Sequence, residues 1–200
     1  MIHEILIGTH NHHKTEEIVL LLSPLGVRIR DLNEFLEIRP VLEDGKTLLE
    51  NSQKKAHTYG EAAGRLCLAD DTGLEVEALG GAPGVYSARY AGESCSYLDN
   101  CAKLLKELGQ NTNRKAVFKT VLSLFDPQTK QMIVTEGQIE GEITRELQGE
   151  NGFGYDPVFF STEASKTLAE MTLDEKNKIS HRARALQKMA RIIEKKCRES

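Results

Sequence analysis

Two short stretches hold residues whose types and spacing suit phosphate chemistry. Thr9-His10-Asn11-His12-His13-Lys14 stands between an apolar run and a helical pattern. A loop entering a helix N-terminus offers backbone N–H groups and the positive end of the helix dipole. Thr9 and Asn11 add hydroxyl and amide donors, and Lys14 adds a full charge, which suits a phosphate. The stretch lacks GxxxxGK[ST], so it is not a Walker A loop. Two other readings compete: helix capping by Thr9 or Asn11 with Lys14 solvated, and a metal held by His10, His12 and His13.

The second stretch, Asp70-Asp71-Thr72-Gly73, follows the apolar run Leu66-Cys67-Leu68-Ala69. Carboxylates at the C-terminal end of a strand sit where α/β proteins keep their sites. They can hold Mg²⁺ together with phosphate oxygens, or act as general base on water. An acidic capping turn is the structural alternative. Asp-Thr-Gly is also the aspartic-protease triplet, but that chemistry needs two copies and this chain has one.

Two further segments could hold the rest of a nucleotide. In Gly152-Phe153-Gly154-Tyr155-Asp156-Pro157, the glycines let backbone approach a ligand, and Phe153 and Tyr155 offer faces on which a base can stack. A turn carrying two core aromatics is the alternative. From Lys176 to Arg198 there are nine Lys or Arg against one acid, Glu194. Most of these make a solvated helix face. Lys176 and Ser180-His181-Arg182 differ, because they precede or open the helix and can meet a phosphate or a base edge. A nucleic-acid-binding helix is the rival reading, weakened by the lack of interleaved aromatics.

These residues need elements to position them. A strand at Ile2–Ile7, a helix at Lys14–Leu22 and a strand at Val27–Arg30 make a β-α-β opening, hence an α/β protein with parallel pairing. A helix from Thr47 to Ala63 stops near Gly64. Strands are expected at Leu66–Ala69 and Leu74–Val76, with a turn between them and loop at Gly80–Gly84. A helix spans Tyr97–Leu108, a long antiparallel hairpin fills Ala116–Ile143, and a last strand runs Pro157–Phe160. The final helix, Ser180–Lys196, carries Leu186, Met189, Ala190, Ile193 and Cys197 on one stripe.

Composition closes off several classes. The 200 residues are 40% hydrophobic, enough for a core, which excludes a disordered chain. A net charge of −4 argues against a general nucleic-acid coat. The longest apolar run, Ile18–Leu22, is far short of the roughly 20 residues of a membrane span. The N-terminus has no basic region or cleavage pattern, so no signal peptide is expected. Cys67, Cys95, Cys101 and Cys197 form no CxxC pair, which points to reduced thiols in the cytoplasm. One domain with two lobes is expected over residues 1–200.

Taken together, the segments resemble the inosine/xanthosine triphosphate pyrophosphatases, a family acting on non-standard purine nucleoside triphosphates. The family's T-x-N-x-x-K is Thr9–Lys14, its A-D-D-[ST]-G-L is Ala69–Leu74, and its L-G-G-x-P-G-x-x-S-A-R-[YF] is Leu79–Tyr90. Its G-F-G-Y-D-P-x-F is Gly152–Phe159, and its E-K-N-x-x-S-H-R is Glu175–Arg182. The resemblance implies an elongated, curved mixed sheet flanked by helices, with an active-site cleft between two lobes. It also implies a homodimer, Mg²⁺ dependence, and hydrolysis of ITP, dITP and XTP to monophosphate and pyrophosphate, which cleanses the nucleotide pool. By position, Thr9–Lys14 would hold the phosphates, and Asp71 would be proton acceptor and metal ligand. Thr72, Phe153, Gly154, Tyr155, Asp156, Lys176, His181 and Arg182 would bind the nucleotide. Where the family places its second acidic metal ligand this chain has Arg39-Pro40, so Glu43 or Glu37 is expected to serve. Since hypoxanthine and xanthine carry an acceptor O6 where adenine has an amine, donors from His181 and Arg182 would favour the former.

Overall fold

The structure, a computed structural model, describes residues 4–199. In chain order the elements are β1 (Glu4–Ile7), α1 (His12–Leu22), β2 (Arg28–Asp31), α2 (Leu48–Ala63), β3 (Cys67–Val76), β4 (Pro83–Gly84), α3 (Tyr97–Leu108), β5 (Lys115–Asp126), β6 (Gln131–Ile143), β7 (Phe159–Ser161), β8 (Lys166–Thr167), α4 (Leu173–Ile179) and α5 (His181–Glu199). The strand expected from Ile2 is thus seen from Glu4, and Ile2 and His3 lie outside the described residues. The fold is mixed α/β. Its sheet runs in the order β2-β1-β3-β5-β6-β7-β8, with β4 paired to β3. β1 is parallel to both β2 and β3, as the β-α-β opening requires, and β7 is antiparallel to β6 and β8.

The chain divides into two compact units. One holds residues 4–71, 120–137 and 182–199, and the other holds 72–119 and 138–181. In the first unit, Ile5 and Ile7 of β1, Ile18 and Leu22 of α1, Leu68 of β3 and Leu122 and Leu124 of β5 pack with Leu186, Met189 and Ile193 of α5. The C-terminal stripe read from the sequence is therefore a core face, each large apolar side chain on it contributing about 1.5–3 kcal/mol. Local signals set the helix ends. The Asn11 side chain accepts from the Lys14 N–H and starts α1, while Thr47 starts α2 and a left-handed Gly64 ends it.

In the second unit, Leu74, Leu104, Phe118, Ile139, Phe159 and Met171 belong to one apolar core. Helix α3 begins and ends where its periodicity predicts, opened by a reciprocal cap between Ser96 and Asp99.

Three expectations need correction. Asp70–Gly73 is no turn, because β3 runs unbroken from Cys67 to Val76 with both aspartates inside it. The strand expected at Pro157–Phe160 begins only at Phe159, since Val158 N–H and Phe159 N–H are both taken by the Tyr155 carbonyl in a turn. The loop expected at Gly80–Gly84 ends in a short strand, β4, antiparallel to β3. Ahead of α5 lies a separate helix, α4, capped by Thr172 and Glu175 and stopped at Ser180. All four cysteines are free thiols. Among the described residues, no helix is long and apolar enough to cross a membrane.

Candidate active site

Consecutive strand residues point to opposite faces, and Asp70 and Asp71 accordingly face different partners. Asp70 is completely buried and its Oδ2 lies 3.1 Å from Lys14 Nζ and 3.2 Å from Arg182 Nε. Arg182, itself 1% exposed, also pairs through Nη1 with the buried Glu17. Burial works against the Asp70 charge, but Lys14, Arg182 and Lys55 hold the carboxyl well below the usual carboxylate range.

A depressed folded-state pKa stabilises the protein above the unfolded value and loses that contribution as pH falls through it. Wild type should therefore lose stability steeply below about pH 4, the ordinary Asp value. Asp70→Asn should be less stable at pH 7 and flatter below pH 5, where it has no such carboxylate to protonate. Urea unfolding from pH 3 to pH 7 measures this, and parallel curves for the two proteins would contradict it.

Asp71 faces α2. Its Oδ1 lies 3.1 Å from Lys55 Nζ, and its Oδ2 accepts from Asn51 Nδ2 at 3.2 Å. Lys55 Nζ also donates to Glu43 Oε2 at 2.8 Å, so one ammonium joins the two carboxylates. Burial, opposed by Lys55 and Lys14 and reinforced by Glu43, leaves Asp71 above its ordinary value. Burial likewise disfavours the Glu43 charge, but Lys55 holds Glu43 below its ordinary value. A carboxylate raised in this way is the better proton acceptor.

Sequence reasoning offered Glu43 and Glu37 as alternatives; of the two, Glu43 is the one bonded to Lys55. It missed Lys55, Asn51 and Glu17. A signal for Lys55 existed: it lies in the buried helical stripe Ser52, Ala56, Tyr59, where a charge demands a partner.

Two carboxylate oxygen donors suit Mg²⁺, which binds through one or two carboxylates plus substrate phosphates and waters. Among the described residues, no group of three or more His, Cys, Asp or Glu is placed to hold a metal by itself. That also disposes of the histidine-cluster alternative. His12 and His13 point to Glu16 at 3.2 and 3.8 Å, and His10 Nδ1 lies 3.1 Å from Asn33 Oδ1. Thr9 Oγ1 accepts from the Asn11 N–H, which fixes the loop entering α1.

The second unit carries the other sequence-marked residues. Gly152, at φ +75°, lets the chain fold so tightly onto Asp156 that a Cβ there would lie 2.1 Å from Asp156 Oδ2. That oxygen accepts from the Phe153 N–H at 2.9 Å and from Lys176 Nζ at 2.5 Å. Lys176 also stands 4.6 Å from the Phe153 ring centroid, and Tyr97 packs beside that ring at 6.0 Å. Cys101 Sγ donates to the Gly154 carbonyl at 3.3 Å. Phe153 is half-buried. Tyr155 is a buried core ring whose hydroxyl donates to the Ser87 carbonyl, so any ligand contact of Tyr155 runs through its backbone. His181 is buried and stacks on Phe118 with ring centroids 4.5 Å apart. Arg182, next to it in sequence, pairs with Glu17 and Asp70. Thr72, next to Asp71, is partly exposed.

A sequence profile of the Ham1 family matches residues 5–192. The chain belongs to the Ham1 family. Among its relatives in that family, the dITP/XTP pyrophosphatase of Thermoanaerobacter pseudethanolicus is 46% identical, over 98% of this chain and 99% of that protein. The dITP/XTP pyrophosphatase of Desulfotalea psychrophila is 45% identical, over 93% of this chain and 83% of that protein. The Ham1 protein structures of Staphylococcus aureus and Coxiella burnetii superimpose with TM-scores of 0.86 and 0.88 at 38% and 36% identity. Each covers 96% of this chain, and they match over 99% and 98% of their own lengths.

Proposed function

We propose that this Ham1-family chain hydrolyses dITP, ITP and XTP to the monophosphate and pyrophosphate, with Mg²⁺ as cofactor, as a cytoplasmic homodimer that clears these nucleotides before polymerases use them. The observation that carries the reading is Asp71, held between Lys55 and Asn51 beside Glu43, in a chain close in sequence to proteins of that name. Attack of water at the α-phosphorus needs a proton acceptor and compensation of triphosphate charge. Asp71 is the acceptor. Asp71 and Glu43 are the residues that would hold Mg²⁺, which when bound supplies charge neutralisation on the phosphate oxygens. Lys14, seated on Asp70 at the start of α1, adds positive charge beside the loop amides, and Lys55 favours the charged form of both carboxylates. Phe153 supplies the stacking face for the purine, and His181 with the 153–156 loop supplies polar groups for its edge.

Turnover of ITP, dITP, XTP, ATP and GTP, with pyrophosphate and orthophosphate measured separately, tests the reaction. Orthophosphate release, or equal turnover of all five, contradicts it. Sedimentation at working concentration tests the dimer. Lys14→Ala should weaken triphosphate binding by about 1.5–3 kcal/mol, the worth of a charged hydrogen bond, whatever the base. A changed ITP-to-ATP preference at unchanged overall affinity would place Lys14 at the base instead.

A further inference from the structure

We infer that Asn51 is a positioning residue for the hydrolysis, setting the Asp71 carboxylate against the segment that bears Glu43; the inference rests on the reading of Asp71 as proton acceptor. Asn51 lies in the first turns of α2 and is 1% exposed, so its polar atoms must be satisfied inside the protein. Both ends of its amide are used. Nδ2 donates to Asp71 Oδ2 at 3.2 Å, and Oδ1 accepts from the Gly45 N–H at 2.8 Å.

This one planar group therefore ties the catalytic carboxylate to backbone two residues beyond Glu43. Lys55 stands one helical turn further along the same face of α2 and takes the other Asp71 oxygen as well as Glu43. Held at both oxygens, Asp71 cannot rotate about its carboxyl bond without breaking a buried hydrogen bond. Glu43 is held twice as well, through its side chain on Lys55 and through its chain on Asn51.

The fit at Gly45 is tight. A Cβ there would fall 2.5 Å from Asn51 Oδ1 and 2.9 Å from Glu50 Cβ. Glu50 and Thr47 accept from the Lys46 and Glu50 N–H groups and anchor the same segment to the start of α2. Gly45 thus gives a handle on Asn51 that leaves Asp71, Lys55 and Glu43 chemically intact.

The test uses the full-length protein with dITP at saturating Mg²⁺. Asn51→Ala removes both contacts. Asn51→Asp keeps the shape and the acceptor for Gly45 but loses the donor to Asp71. Both should lower kcat by about 10- to 100-fold, as loss of an orienting partner does, with KM changed less than about threefold. Gly45→Ala should also lower kcat. Added to Asn51→Ala it should cost less than about twofold more, because both act through one contact.

Three results overturn the inference: Asn51→Asp turning over like wild type, kcat and KM changing in parallel with loss of folded protein in every variant, or additive Gly45 and Asn51 effects. Failure of the underlying reading looks different, since Asp71→Asn itself would then turn over dITP like wild type.

Discussion

Asp71→Asn is expected to keep the fold and lose on the order of 10²-fold or more in kcat at saturating Mg²⁺. The substitution preserves shape and keeps one oxygen to accept from Lys55, but it turns an amide N–H2 toward the Asn51 donor and removes the proton acceptor and one of the two oxygen ligands suited to the metal. Because Asp71 sits above the ordinary Asp range while Lys55 is drawn to both carboxylates, neutralising it leaves Glu43 and Lys55 as a matched pair, so stability should change little. Steady-state kinetics with dITP, beside a urea unfolding curve, separates the two effects. Near-wild-type turnover would take Asp71 out of the chemistry. Asp70→Asn should behave in the opposite way, with a larger stability cost and a milder catalytic one, since Asp70 meets Lys14 and Arg182 rather than α2.

Arg182→Leu is expected to cost about 3–5 kcal/mol of stability, the range for breaking a buried ion pair from one side. Glu17 and Asp70 are 2% and 0% exposed, so water cannot replace the lost guanidinium. Against a total of about 5–15 kcal/mol, that is a large share of the folding free energy. Adding Glu17→Gln should recover part of the loss, because one stranded charge disappears. A loss below about 1 kcal/mol in the single variant would show that the pairs contribute little. Measured on folded protein, the same variant reports on base choice. A fallen dITP-to-dATP ratio gives Arg182 a base-reading role alongside its ion pairs, and an unchanged ratio leaves it the ion pairs alone.

Helices announced themselves in the sequence where local chemistry settles their ends. Ser96 with Asp99 opens α3 and Gly64 closes α2, and both boundaries were legible because caps act over three or four residues. β3 was not legible as one strand. Two adjacent carboxylates break any apolar pattern, and what makes them tolerable inside a sheet comes from residues 14, 55 and 182, far away in sequence. The same distance hid Glu17, which looks like a surface charge until its partner Arg182 is known. Asp71, Lys14, Phe153 and Lys176 were visible because their types are unusual beside glycines, strand ends and helix starts. The tyrosine of the 152–156 loop was misjudged as a free face, since nothing local says that its hydroxyl reaches the Ser87 carbonyl.

The Glu17–Arg182 pair also has a consequence for synthesis on the ribosome. Its two members are 165 residues apart. At translation rates of about 5–20 residues per second, the Glu17 carboxylate is made roughly 8–33 s before its guanidinium. Ile18 and Leu22 beside it wait as long for Leu186, Met189 and Ile193 of α5. The nascent N-terminal half therefore spends that interval with an apolar face uncovered and a carboxylate in water, which suits a chain held by a chaperone. Ribosome-stalled chains ending before α5 should accordingly be cut readily by protease around α1, and chains extended past residue 199 with a linker long enough to clear the tunnel should resist.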